Sequence, residues 1–303
     1  MTVLPRIPRD PAARIAAFAT GFSLETTRPS DADIASLGVL PHGTPVFVSA
    51  MPGRAAAESV AAAVKLRAAG MEPVPHIAAR NFDSRSALDD ILARLANEAG
   101  VRSALVIAGD RAESGPFRCA LDVIDSGTIP RHGIRRIGIA GYPDGHPRIA
   151  SADLHKALCD KIAAAEATGL TVEIVTQFCF DAGTILDYVT RLRAYGIEQP
   201  LRIGLVGPTN LAALLRFAAR CGVRASTHGL ARRSGLLRGA FTMTTPDDII
   251  RKLADTAPTN ISLHFFSFGG LPACARWARA VADGRITLDS AGGFRVASPT
   301  REG

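Results

Sequence analysis

Lysine is scarce in this 303-residue chain: of 35 basic residues only Lys65, Lys156, Lys161 and Lys252 are lysine, and the arginines are spread from end to end. Aromatic residues make up 6% of the chain, with one Trp and three Tyr, and no basic tract is interleaved with them. The formal charge of +7 therefore reads as a solvated surface, not as a nucleic-acid footprint, and remains compatible with a small anionic ligand. No stretch approaches the roughly 18 consecutive apolar residues of a membrane span. Residues 1–20 interrupt their apolar positions with Pro and Arg, unlike the compact core of a secretion signal, so a cytoplasmic location is expected. The five cysteines (Cys119, Cys159, Cys179, Cys221, Cys274) are odd in number and never spaced C-x-x-C, which argues against a disulfide framework and a structural zinc site. Reduced, mostly buried thiols are expected.

Common site signatures are missing too. No G-x-G-x-x-G follows a β-rich run, and there is no G-x-x-x-x-G-K-[ST], so neither common nucleotide fingerprint of an open doubly wound sheet is present. Without H-E-x-x-H or helical His pairs, metal chemistry has little support, and without G-x-S-x-G so has serine nucleophilic catalysis.

With 47% apolar and 21% charged residues, the composition is that of a globular protein with a sizeable core. Short β-rich runs alternate with Ala/Leu/Arg segments of helical period. Strands are expected near 22–25, 45–49, 72–78, 103–108, 135–141, 172–177, 201–206 and 260–266. Helices are expected near 30–37, 55–69, 84–99, 117–126, 152–168, 182–195, 210–221 and 272–283. Asp83 or Ser84 is placed to cap the helix carrying Leu88, Leu92 and Leu95, and Gly100 and Gly169 to end helices. The spacing of Ile185, Leu186, Val189, Leu192 and Tyr195 predicts a buried stripe. Eight strand-then-helix units point to the α/β class and a closed (β/α)8 TIM barrel, one domain over residues 1–303. Residues 222–257 are expected to form an insertion over the barrel mouth, with a short helix near 246–257. The tail at 284–303 is expected to be loose or a small hairpin around Ala291 and Gly293.

In such a barrel the active site is built from the C-terminal strand ends and the loops that follow. Those positions hold Glu25, Ser49, His76, Asp110, Tyr142 with His146, Gln177, and Pro208 with Asn210. Each has a plainer reading. Glu25 could pair with Arg28, or point into the mouth as a general acid. Asp110 after Gly109 could be a turn residue, and His76 a satisfied core histidine. Gln177 must find partners in the protein or in a ligand.

Several phrases of the chain, in order, resemble the methylenetetrahydrofolate reductase family: Phe22-Ser23-Leu24-Glu25 with Pro29, Phe47-Val48-Ser49, Pro75-His76, Gly109-Asp110, Ala140-Gly141-Tyr142-Pro143 with His146-Pro147, Thr176-Gln177-Phe178 with Phe180-Asp181, and Asn210 with Phe217. A-G-Y-P-x-x-H-P and T-Q-F-x-F-D are the most specific. The resemblance implies a flavin-bearing barrel that reduces 5,10-methylenetetrahydrofolate to 5-methyltetrahydrofolate with NAD(P)H in one-carbon metabolism. It implies Glu25 as the acid that protonates the folate N10 and Asp110 as a charge between flavin and pterin. His76, Gly109, Asp110, Tyr142, His146, Asp153 and Lys161 would hold FAD, and Gln177 and Phe217 the folate. No metal, nucleic-acid or membrane partner is expected, and a homo-oligomer stays open.

The chain departs from the family pattern at Ala108, where an arginine is usual before Gly-Asp, at Met51 and Pro52, and at Gly269-Gly270, where Asn-Arg is usual. Arg80, Arg111, Arg135 or the Arg232-Arg233 pair are the candidates to supply the missing charge. Two other readings of the same residues are the same fold oxidising 5-methyltetrahydrofolate, and a flavin-free folate-binding module partnering a methyltransferase.

Overall fold

A computed structural model describes residues 8–51, 56–112, 115–210, 213, 243–256 and 259–297. Eight parallel strands close into a barrel: β1 (Ser23–Thr26), β2 (Pro45–Val48), β3 (Glu72–Ala78), β4 (Ser103–Ile107), β5 (Arg136–Gly141), β6 (Thr171–Thr176), β7 (Leu201–Val206) and β8 (Ile261–Phe266). They pair in sequence order, and β8 closes the ring against β1 with Ser23 opposite His264 and Glu25 opposite Phe266. The helices around them are α1 (Pro11–Ala19), α2 (Asp31–Ala35), α3 (Ala56–Ala68), α4 (Arg85–Ala99), α5 (Ala120–Asp125), α6 (Thr128–Arg131), α7 (Ser151–Ala167), α8 (Ala182–Ala194), α9 (Asp247–Thr256) and α10 (Leu271–Ala282). The tail folds back as an antiparallel hairpin, β9 (Ile286–Leu288) with β10 (Phe294–Val296).

Local chemistry sets the boundaries. Ser84 caps α4, its hydroxyl accepting from the Ala87 N–H at 3.1 Å, and Gly100 ends the helix in the left-handed region at φ 58°. Three features differ from the sequence expectations. Helix α1 was not anticipated, although Asp10 caps it and Pro11 opens it; it packs on α9 and α10. The segment expected as one helix over 117–126 is helical only from Ala120, and Gly127 at φ 64° separates it from the turn of α6. The stripe on α8 ends before Tyr195, which caps the helix, is 63% exposed and lies against His155 with ring centroids 4.2 Å apart.

Of the expected insertion, residues 222–242 and 257 lie outside the described residues, as do most of the helix expected near 210–221, with Cys221, and Arg232 and Arg233. Thr209–Asn210 and Met243–Thr244 pair as short antiparallel strands ahead of α9. Cys179 and Cys274 are buried free thiols, each pushed up to about 12 by that burial.

Most of the core lies between strands and helices, while a separate cluster of Phe47, Val74, Leu105 and Val175 fills the barrel interior. Towards the strand N-termini this interior layer gives way to a buried ion pair, Arg202 Nε donating to Glu173 Oε2 at 2.8 Å. Towards the C-termini it gives way to Glu25, His76 and His264. Both faces of each strand are therefore covered, as the continuous apolar runs require.

Candidate active site at the strand C-termini

Parallel strands bring Glu25, His76, Asp110, Tyr142 and Gln177 to the same end of the barrel, each on or just after the C-terminal part of its strand. Glu25 is the centre of a polar group drawn from four strands and the loops that follow them. Its Oε1 accepts from the Ser49 hydroxyl at 2.6 Å, and its Oε2 lies 3.1 Å from His264 Nε2 and 3.5 Å from His76 Nε2. The Ser267 hydroxyl donates to its backbone carbonyl at 2.6 Å. His264 is fully buried, and its Nδ1 sits 2.9 Å from Ser23 Oγ. Phe47 flanks the His264 ring with centroids 4.6 Å apart, and Phe266 lies on another side at 5.0 Å. Histidines and Ser49, and not Arg28, are the partners of Glu25.

Burial alone would push the Glu25 carboxyl up, but the charge of His76, the hydrogen bond from His264, the longer polar contact from His76 and the charge of His264 outweigh it. The carboxyl is held well below the usual carboxylate range. For His264 burial dominates and keeps the ring neutral, helped by the charges of Arg202 and His76 and opposed by the hydrogen bond and charge of Glu25. Ionised Glu25 then accepts the Nε2–H of a neutral His264, which leaves Nδ1 to accept the Ser23 O–H.

This arrangement has a stability consequence. Both groups have folded-state values below their unfolded ones, so each contributes stability that is present above its unfolded pKa and lost as pH falls. Thermal unfolding temperature is expected to decline from about pH 6.5 downwards, the ordinary histidine range. In His264→Gln, which keeps a donor towards Glu25, the decline between about pH 6.5 and 5 should be shallower. An unchanged pH profile in that variant would show that His264 is not held neutral by the fold.

Across the mouth lie the remaining predicted residues. Gly109 follows β4 at φ 83°, and a Cβ there would come within 3.1 Å of the Ala78 Cβ. Asp110 is exposed; its charge, after burial, raises the Tyr142 phenol and partly offsets the lowering of His146 by burial and Arg148. Tyr142 and His146 meet edge to face at 5.4 Å. Asp153 is exposed in the first turn of α7, and Lys161, two turns on, is half-buried, with its ammonium pushed down by burial. Gln177 donates its backbone N–H to the Gly141 carbonyl at 2.9 Å and accepts from the Phe178 N–H at its own Oε1 at 3.0 Å. Beside it Phe178, Phe180, Phe266 and Phe268 form an aromatic cluster. Phe217 lies outside the described residues.

Of the candidate replacement cations, Arg135 immediately precedes β5 and therefore sits at the opposite end of the barrel from Asp110. Arg80 donates to the Arg118 carbonyl at 2.8 Å, and Arg111 pairs with Asp83 at 3.0 Å; both lie on the mouth side. A Cβ at Gly269 would collide with the Pro208 carbonyl, so the close approach of two loops demands glycine there. Among the described residues no group of three His, Cys, Asp or Glu side chains is arranged to hold a metal ion, and no helix is long and apolar enough to cross a membrane.

Sequence reasoning missed His264 and Ser23, because it read only the residues at and beyond strand ends. The available signal was a histidine amid the apolar run Leu263-His264-Phe265-Phe266, which a closed barrel sets beside the Ser-Leu-Glu of β1.

Comparison with known proteins decides the relationship. The family model described as methylenetetrahydrofolate reductase matches residues 27–233. The chain belongs to the methylenetetrahydrofolate reductase family. It is 31% identical over 189 residues to the 5,10-methylenetetrahydrofolate reductase of Pectobacterium carotovorum, covering 59% of this chain and 60% of that protein. It is 30% identical over 157 residues to methylenetetrahydrofolate reductase 2 of Saccharomyces cerevisiae, covering 49% of this chain and 26% of that one. It is 27% identical over 136 residues to methylenetetrahydrofolate reductase (NADH) 1 of Arabidopsis thaliana, covering 40% and 23%. The chain thus spans only part of the curated relatives it matches.

Proposed function

We propose that this member of the family carries a flavin, FAD, and uses NAD(P)H to reduce 5,10-methylenetetrahydrofolate to 5-methyltetrahydrofolate. The observation that carries the reading is the largely buried Glu25 carboxylate, set among two histidines and the Ser49 hydroxyl on the same barrel end as Asp110 and Gln177. A carboxyl with proton-bearing neighbours in a mouth of this kind serves general acid chemistry.

The residues present fit a flavin. Gly109 lets the loop after β4 pass close to Ala78, where a Cβ would crowd it, and Asn81 Oδ1 is buried without a hydrogen-bond partner beside it. Lys161 is a half-buried cation with no carboxylate partner among the described residues, suited to a pyrophosphate, and Tyr142 and His146 stand beside Asp110. When bound, the flavin supplies hydride transfer. Glu25 protonates N10 so that the five-membered ring opens, and Asp110 stabilises the cationic open form by its charge. Gln177, with its carboxamide oxygen already committed to Phe178, offers its amide hydrogens to the pterin. Because Glu25 is ionised in the free site, it must take up a proton before it can give one. Covering the mouth with ligand excludes water and favours that uptake.

The visible spectrum of the purified full chain tests this reading. Oxidised-flavin absorbance, present as isolated or after incubation with FAD, should bleach on NAD(P)H and return on methylenetetrahydrofolate. A colourless protein that takes up no flavin at millimolar concentration would overturn it.

A further inference from the structure

Six buried side-chain polar atoms among the described residues have no hydrogen-bond partner; three belong to residues bordering one cavity, and of these His76 Nε2 still faces Glu25 Oε2 at 3.5 Å while Ser59 Oγ and Asn81 Oδ1 face no polar partner. That cavity, of about 270 Å³, lies between the C-terminal ends of β2 and β3 and the helices α3 and α4. Native folds leave few such atoms unsatisfied, because each loses its water without gaining a partner. Two of them, Ser59 Oγ and Asn81 Oδ1, around one space point to a ligand that completes them.

Ala62 and Ser59 on α3 are small, Ala78 and Ile77 supply an apolar floor, and Ser49 links the cavity to the Glu25 group. Asn81 is fixed in place by its neighbours. Its backbone carbonyl accepts from Arg111 Nη1 at 3.5 Å, and the Arg80 N–H before it donates to the Ala108 carbonyl at 2.9 Å. Its Oδ1 lies 3.7 Å from where a Cβ on Gly109 would stand, so the carboxamide adjoins the loop that carries Gly109 and Asp110.

The orphaned atom is an acceptor oxygen, which calls for a donor on the ligand and not for a further acceptor such as a phosphate oxygen. A carboxamide sets an acceptor oxygen beside a donor nitrogen. The pyrimidine edge of an isoalloxazine offers the complement, an N3–H donor flanked by two carbonyl acceptors, one of which a serine hydroxyl can reach.

We propose that Asn81 and Ser59 read the pyrimidine edge of the flavin, Asn81 pairing with N3–H and an adjacent carbonyl and Ser59 donating to a ring carbonyl. The assignment rests on the flavin reading above and adds two residues that the family resemblance did not mark. Its two residues stand on α3 and in the turn just after β3, next to the cavity wall that His76 shares with the Glu25 group.

The test uses the full-length protein, stripped of flavin and titrated with FAD in oxidised and reduced form. Asn81→Leu, which keeps the branched outline but removes both polar groups, should raise the Kd for oxidised FAD about tenfold, and Ser59→Ala about threefold. Contacts to ring carbonyls and N3–H change strength on reduction, so the two redox states should lose affinity by different factors and the two-electron potential should move. Thermal unfolding of the flavin-free Asn81→Leu protein should be unchanged or improved, because a buried orphan has been removed; a structural role would lower it. Unchanged FAD affinity in both variants, in a wild-type protein that does bind FAD, overturns this subsite and leaves the flavin reading standing. Equal losses in both redox states would move the contact to the ribityl chain, and a loss confined to folate binding would move it to the pterin; either overturns the assignment. A wild-type protein that binds no flavin overturns both.

Discussion

Glu25→Gln is expected to slow reduction of methylenetetrahydrofolate by about two to four orders of magnitude, the usual scale of general acid catalysis, while flavin reduction by NAD(P)H falls far less. The substitution keeps size and hydrogen-bonding capacity and removes the titratable proton. The surroundings can absorb it. The Ser23 hydroxyl lies 2.9 Å from His264 Nδ1 and 3.4 Å from the Leu263 carbonyl. It can therefore turn to that carbonyl and accept from Nδ1–H, which frees His264 Nε2 to accept an N–H from the new carboxamide. A fold-level effect would be small, and thermal unfolding checks it. In the wild-type enzyme the folate half-reaction should also slow as pH rises, because the acid form of Glu25 must be regained against partners that favour its ionised form. The variant should lack that dependence. Equal losses in both half-reactions, or near-normal folate reduction, would remove Glu25 from the catalytic residues and leave the assignment to rest on kinship alone.

The barrel was legible because its elements satisfy local and global demands together. Ala104 to Ala108 and Ile137 to Ala140 are apolar runs with no alternation, which only a sheet covered on both faces tolerates, and each is followed by a segment of helical period. What escaped was weak in that pattern. Helix α1 precedes the first strand, outside the strand-then-helix repeat, and buries few side chains, chiefly Ile15 and Ala19. The split between α5 and α6 hangs on one glycine, and Tyr195 fitted the apolar period while standing at a helix end, where the buried face runs out.

The site was legible only at strand ends, since the rule that finds it is a rule about ends. Glu25, Asp110, Tyr142 and Gln177 end or follow strands, and closure of the barrel brings them to one end together with His76, near the end of its own strand. Their partners inside the barrel are a matter of register: Ser23 lies opposite His264 only because the eighth strand returns to the first. Nothing local to either residue announces that closure. The protonation of Glu25 was illegible for the same reason, since two of the groups that hold it ionised come from β3 and β8.

Register also creates the Glu173–Arg202 pair, and its removal carries the largest expected effect on stability. The two side chains are 10% and 12% exposed inside the barrel, with Arg202 Nη1 also 3.5 Å from the Gly21 carbonyl. Arg202→Met strands a buried carboxylate and is expected to cost about 3–5 kcal/mol, whereas Arg202→Met with Glu173→Leu removes both charges and should recover most of that loss. Denaturant unfolding of the two single variants and the double variant decides this through the double-mutant cycle. A double variant as unstable as the sum of its singles would show that the pair is not an energetic unit. The pair also reaches the active site, because the Arg202 charge is one of the influences that keep His264 neutral. Register puts Ser262 opposite Arg202 and His264 two residues further along the same strand, one step nearer the mouth. Without that charge His264 accepts a proton at higher pH, and the pH dependence of the folate half-reaction should move upwards in the double variant even where its stability is restored. A restored fold with an unmoved pH profile would confine the ion pair to a structural role.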